Sequence, residues 1–496
     1  LALAVEVRAG LATAAATLAV GLLTLNQALV GVFYDDGLYA GLATALGSGH
    51  GYVHPNLPGM PGAVHYPPLY PVLLTPFFGA LSVKSAAIAA KILNALLSAG
   101  AAGLITWHVT KTELLGPRIP RWVAGAVVFA AAVAIPVLAT QGVLFAEPLF
   151  AVLVAVAIVA TDRRMSPWIV GAAGSLALLT RSIGIAVVAG VVAFLLLRRA
   201  APRTLLAALV PPLVAALGWG VWVATHARQI DPALALGYGT YFAHLDQAGL
   251  SAIAVNVPDM SRPLEALTFG WIRVRWVYHL LAALALAIGL YGVVVLARRS
   301  AVGFVLIFYF IMLAIWPHPP DRFLWVVLPW LALAWVAGVL ALGRRWPRLR
   351  VPILLFVCLV SGGYLQYELR GFRGHWWDAQ ARAISANFAE LLPVVAQLPD
   401  TAVVATDDEA LVWLYTGKLS VPLYLESYRG RELIRPTPAE HRAYLERMGV
   451  THVLLASSTS PSAIELRGLI GAYPQWLSGL YRWSDGRWLF AVNRGQ

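Results

Sequence analysis

From residue 9 to residue 367 the chain is a succession of apolar runs, at 9–33, 85–109, 122–140, 144–161, 167–181, 183–197, 204–225, 276–297, 301–316, 323–343 and 351–367. Lipid offers the backbone no hydrogen bonds, so runs of about 20 apolar residues cross a bilayer as helices. The pattern predicts an α-helical polytopic membrane protein with about eleven transmembrane helices. Composition agrees: 59% of the 496 residues are hydrophobic and 12% are charged, about half the charged fraction of a soluble protein. Segment 66–82, YPPLYPVLLTPFFGALS, is apolar but carries four prolines, and reads as an interfacial or re-entrant piece.

The formal net charge of +12 does not point to nucleic acid, because the basic residues fall in short clusters between the apolar runs. Those clusters are 111–121, 162–166, 198–203, 298–299 and 344–350, and counting runs places all five on one side. Loop 34–66 has no Lys or Arg at all. Positive charge stays inside, so the expectation is a multi-pass protein of the cytoplasmic (inner) membrane with its N-terminus in the cytoplasm. Loop 34–66 and residues 370–496 then lie outside. Residues 9–33 are too long for a signal-peptide core and read as a span. The chain begins at Leu1, which points to a truncated or processed N-terminus, and the single cysteine, Cys358, excludes an internal disulfide.

Two domains follow: 1–369 in the membrane, and a small extracytoplasmic α/β domain at 370–496. In the latter, 378–398 is amphipathic, 401–408 and 450–457 read as buried strands, and 437–448 as a surface helix. Segment 479–494 reads as a hairpin turning at Asp485-Gly486. Thr406-Asp407-Asp408-Glu409 reads as a strand end leading into a capped helix.

The ionisable residues at membrane depth gather at the outer face. Asp35 and Asp36 follow the first run, Glu147 begins the fourth, Arg181 sits between the two short runs, and Asp321 and Arg322 precede the tenth. Such residues cost about 2.5–3.5 kcal/mol to insert and are kept for function by default. Each also has a structural reading: helix-capping acids, a helix-start acid at Glu147, headgroup anchors at Arg181 and Arg322. His50, His54 and His65 share a loop with two carboxylates, which permits a divalent cation such as Mg or Mn, although their spacing matches no standard ligand pattern.

Such a set suits sugar transfer from a lipid-linked donor. A carboxylate at the water boundary can take the acceptor proton, and an arginine can meet the charge developing on a prenyl phosphate. The quoted residues also resemble a family. YDDGLYAGLATALGSGHGY followed by YPPLYPVLL resembles the first outer loop of the GT-C glycosyltransferases, in the branch of protein O-mannosyltransferases and lipid A aminoarabinose transferases. AEPLF resembles the second, Glu-bearing element, LLTRSIGI the basic outer turn, and DRFLWVVLPW the late Arg-aromatic segment, so the likeness covers about 35–340.

The resemblance implies an inverting glycosyltransferase that takes a sugar from a polyprenyl-phosphate donor to a protein, glycolipid or cell-envelope polymer. Asp35 would be the base, Asp36 a neighbouring or second acid, and Glu147 the acid that positions acceptor or metal. Arg181 and Arg322 would hold the donor phosphate, with His50, His54, His65 and Tyr66 in the cleft wall. Two rival classes remain: a transporter or flippase of a lipid-linked precursor, and a non-catalytic assembly subunit. The first wants broken helices at the bilayer midplane and repeated halves; the second has no need of acids at membrane depth.

Overall fold

The computed structural model of the chain describes residues 4–240, 251–316, 319–425, 427–429 and 432–493. Each of the eleven apolar runs is helical over most of its length. In chain order the first ten helices are α1 Val5–Leu23, α2 Asp35–Gly47, α3 Leu69–Ala80, α4 Val83–Lys111 and α5 Arg121–Ala132, then α6 Ile135–Gln141, α7 Glu147–Asp162, α8 Pro167–Thr180, α9 Gly184–Leu197 and α10 Pro202–His226. Further apolar helices span Arg275–Ala297, Ala301–Ala314, Asp321–Arg345 and Arg350–Gly374.

Length separates these helices into two groups. Among the described residues six are long and apolar enough to cross a bilayer, or seven if α5 and α6 form one broken span. Helices α8, α9 and Ala301–Ala314 have 14 residues each, about 21 Å at 1.5 Å per residue, against a hydrocarbon core of about 30 Å. The run at 122–140 is two helices rather than one, bent by 61°. Pro136, which has no N–H, stands in the first turn of α6, and the Glu368 carboxylate accepts the Ile135 N–H at 3.0 Å, so that donor at the break is satisfied.

The first run also departs from expectation, because α1 stops at Leu23 and not at residue 33. Residues 24–34 form a strap whose polar groups are satisfied by side chains from elsewhere. The Lys91 ammonium on α4 donates to Asn26 Oδ1 (2.9 Å), Ala28 O (2.8 Å) and Asn26 O (3.3 Å). Asn26 Nδ2 donates to Gly142 O, Leu29 N to Ser385 Oγ, and Val30 N to the Tyr415 hydroxyl.

Beyond the membrane helices the chain turns at His375, whose φ of 51° ends Arg350–Gly374. The 369/370 boundary read from composition falls inside that helix. Helix Ala379–Ala396 then leads into a five-stranded sheet of order β2-β1-β5-β7-β6. Its strands are β1 Val403–Thr406, β2 Leu419–Pro422, β5 His452–Leu455, β6 Leu477–Arg482 and β7 Trp488–Val492. A separate antiparallel pair joins β3 Ser427–Arg429 to β4 Glu432–Ile434. Strand β1 is parallel to β2 and β5, and β7 is antiparallel to β5 and β6. Helices Glu409–Thr416, Pro438–Arg447 and Pro461–Ala472 complete the α/β domain. The expected strand-to-helix step at 406–409 is present, but Asp408 makes no capping bond to the helix it precedes.

Helix Glu409–Thr416 seats this domain on the first long loop, 24–68. A Cβ on Gly31 would lie 2.6 Å from Leu411 Cβ, and one on Gly37 would lie 2.9 Å from Ala410 Cβ. The close approach needs glycine at both places, and Gly31, at φ +96°, needs it for its backbone as well.

Candidate active site

Four helix ends converge at one point, and each brings one charge. Asp35 is the first residue of α2 and Glu147 the first of α7. Arg181 follows the last turn of α8, and Arg322 is the second residue of Asp321–Arg345. Helix N-termini favour carboxylates and C-termini favour cations, which suits three of the four. Arg322 sits at an N-terminus, where its pairing with both acids offsets the dipole.

The four charges form one network. Arg322 Nη2 donates to Asp35 Oδ2 at 2.5 Å, and Arg322 Nε lies 2.8 Å from Glu147 Oε1. Arg181 Nη2 donates to the same Glu147 Oε1 at 2.8 Å and lies 3.8 Å from Asp35 Oδ2. The Tyr66 hydroxyl donates to Asp35 Oδ1 at 2.6 Å. The Phe145 ring covers the Arg322 guanidinium at 4.3 Å, and the Phe323 ring covers Arg181 at 4.9 Å. Burial pushes the Asp35 carboxyl up, but Arg322 and Arg181, with the Tyr66 hydrogen bond, outweigh it and hold the group at about 2. Two polar atoms are left over: Glu147 Oε2 and Arg181 Nε are buried and have no hydrogen-bond partner.

The backbone before Asp35 is unusual. Tyr34 has φ 61° and ψ −70°, and the Asp35 N–H donates to Phe33 O at 2.7 Å. This is the rare, strained γ-turn, of the kind that costs about 1–3 kcal/mol and persists only when its surroundings hold it. Asp36 does the holding. Its carboxylate accepts the N–H groups of Gly31 (2.7 Å), Phe33 (2.9 Å) and Val32 (3.3 Å). The two adjacent acids thus divide their work, Asp35 facing the arginines and Asp36 facing the backbone. Burial raises Asp36 to about 6 despite those donors, with the Asp35 charge adding to the rise.

The histidines do not gather. His50 is exposed and its Nδ1 lies 2.8 Å from Ser48 Oγ. His65 Nδ1 bonds Gly239 O at 2.8 Å. His54 is buried, packs its ring on Tyr238 at 4.7 Å, and is held neutral by burial and by His65, at about 3. Among the described residues no three His, Cys, Asp or Glu side chains are placed to hold a metal ion. The acids fit a divalent cation poorly, since two guanidiniums already neutralise Asp35 and Glu147. Of the segment 317–323, Pro317 and His318 lie outside the described residues.

The structure adds residues that sequence reading passed over. Lys91, which secures the strap ahead of Asp35, is a lone lysine in an apolar run, and that alone was the signal. Asn94 is another: it accepts from the Tyr70 hydroxyl (3.0 Å) and donates to the carbonyls of Val143 and Phe145, fixing the entry to Glu147. Tyr66, expected only in the cleft wall, is a direct partner of Asp35. Tyr238 donates to Glu409 Oε1 at 2.6 Å and so ties the α/β domain to the loop after α10.

No protein-family profile and no curated protein matches the sequence. Solved structures do match. The oligosaccharyltransferase AglB of Archaeoglobus fulgidus, in complex with an inhibitory peptide and a dolichol-phosphate, superposes with a TM-score of 0.54 at 12% identity, covering 99% of this chain and 74% of its own. Apo ArnT from Cupriavidus metallidurans superposes with a TM-score of 0.53 at 16% identity, over 97% of both chains. The same ArnT bound to undecaprenyl phosphate gives 0.50. The succession of apolar helices, the small sheet and these whole-chain superpositions agree: this multi-pass membrane protein has the GT-C glycosyltransferase fold.

Proposed function

We propose that the chain is an inverting glycosyltransferase that takes a sugar from a polyprenyl-phosphate donor on the outer face of the cytoplasmic membrane. The observation that carries the reading is the closed network of Asp35, Arg322, Glu147 and Arg181 at four converging helix ends. Structural neighbours described with dolichol-phosphate and undecaprenyl phosphate support the choice of donor class.

In this reading the network is a resting state. A donor phosphate competes with Asp35 and Glu147 for both guanidiniums and for the unused Arg181 N–H. Once Arg322 turns to phosphate, the Asp35 carboxylate loses the contact that most depresses it and becomes basic enough to accept a proton. The acceptor hydroxyl gives its proton to Asp35 as its oxygen attacks C1. The C1–O bond to phosphate breaks, and the prenyl phosphate leaves with the electron pair, its charge met by Arg181 and Arg322. Glu147 Oε2, the other unused atom, accepts a hydrogen bond from the acceptor and orients it. Asp36 is a positioning residue that keeps Asp35 on its strained turn.

The test is a reconstituted assay of wild type and Asp35→Asn with a panel of radiolabelled polyprenyl-phosphate sugars and candidate protein, glycolipid and polymer acceptors. Release of prenyl phosphate from one donor by wild type alone is expected. Full activity in the variant would overturn the assignment of the base. Tight donor binding without turnover, unchanged by the substitution, would favour a carrier.

A further inference from the structure

The opposite end of the helix that bears Arg322 carries a second cationic feature. Asp321–Arg345 has 25 residues, about 37 Å at 1.5 Å per residue, enough to cross the hydrocarbon core of about 30 Å. Its last turn therefore lies at the membrane face away from the candidate active site. There it meets the end of Arg275–Ala297, and the two border an open cleft of about 390 Å³ lined by Tyr291, Val295, Arg298, Arg299, Ala341, Arg344 and Arg345. That volume is within the range of ligand sites, about 300–1,000 Å³.

The sequence explains why a cleft forms at this place. One turn deeper the helices touch through glycine: a Cβ on Gly292 would overlap the Ala334 carbonyl, and one on Gly338 the Ile288 carbonyl. Past that crossing the two helices run out into arginines, Arg298 and Arg299 on one and Arg344 and Arg345 on the other. Four guanidiniums then face one space, and among the described residues none of the four lies within ion-pair distance of a carboxylate. Arg198 reaches the same corner and donates to Arg298 O at 2.6 Å. All four are exposed, and an exposed basic cluster at a membrane face, with no protein anion beside it, attracts anionic headgroups. Planar guanidiniums suit phosphate oxygens, and Val295 and Ala341 continue the wall toward the bilayer. A ligand with a phosphate head and an apolar tail matches both halves of the lining.

We propose that this cleft binds the phosphodiester headgroup of one anionic phospholipid. The inference is independent of the sugar-transfer reading, since it uses no residue of that site.

Native mass spectrometry of the purified full chain, with phosphatidylglycerol or phosphatidylcholine added, tests it. Wild type should retain one phosphatidylglycerol per chain at a level at least tenfold above phosphatidylcholine. Arg298→Ala/Arg344→Ala should lose that preference, while Arg163→Ala/Arg203→Ala, which removes two basic-loop arginines outside the cleft, should keep it. Equal loss in both double variants, or none in the first, would reduce the cleft to part of a diffuse basic surface and overturn the proposal. Displacement of the lipid by millimolar inorganic phosphate would show that free phosphate is the ligand and overturn the choice of lipid.

Discussion

Asp35→Asn should do two opposite things. As the proposed base, Asp35 is expected to supply about 10²–10⁴-fold in turnover, so that much activity is lost. Affinity for the leaving product should rise, because Asp35 competes with phosphate for Arg322. The contact at stake is one charge-assisted hydrogen bond of 2.5 Å, worth about 1.5–3 kcal/mol. Arg322 is 28% exposed and keeps its bond to Glu147, so the lower end applies. At 1.4 kcal/mol per decade, undecaprenyl phosphate should bind about tenfold more tightly. Titration of detergent-solubilised wild type and variant with undecaprenyl phosphate, followed by intrinsic tryptophan fluorescence or calorimetry, reads this directly. Stability moves too. A carboxyl held at about 2 instead of 3.8 contributes about 2 kcal/mol above pH 4, lost as pH falls through 2; the variant lacks that contribution. Weaker or unchanged phosphate binding in Asp35→Asn would refute the competition between carboxylate and phosphate, whatever happened to turnover.

Other outcomes are expected. Tyr66→Phe removes a hydrogen bond that depresses Asp35, so the acidic limb of the pH–rate profile should move to higher pH; an unmoved limb would separate Tyr66 from the base. Glu409, raised by burial to about 7, binds its proton more tightly folded than unfolded. Its stabilisation is therefore present below about pH 4.5 and lost as pH rises toward 7, and thermal unfolding of Glu409→Gln should show a flatter decline across that window. Lys91→Met strands two carbonyls on the strap, Asn26 O and Ala28 O, and should cost about 1–3 kcal/mol in thermal unfolding, with turnover lowered because Asp35 loses its anchorage.

Much of this was legible because lipid is a severe solvent. Runs of apolar residues had to be helices, and the acids and arginines at their ends had to meet something. Asp35, Glu147, Arg181 and Arg322 are brought together as their common placement suggested. What stayed hidden depended on contacts distant in sequence. The end of α1 at Leu23 is set by Lys91 on α4 and by Ser385 and Tyr415 of the α/β domain. The separate work of Asp36 depends on a turn at Tyr34 that no residue preference announces. Where the histidines would go was hidden too, because loop proximity in sequence says nothing about which backbone groups will claim each ring.

The bare-glycine seat of the α/β domain has a consequence for the proposed reaction, in how substrates would come and go. With Gly31 and Gly37 in contact with Leu411 and Ala410, and Tyr238 and Asn56 bonded to Glu409 and Ser420, lifting that domain would unmake buried hydrogen bonds and strip the support from the turn at Tyr34. The domain is a wall and not a door. Traffic to Asp35 must then pass on another side, and a crosslink between the domain and the first loop should leave turnover intact.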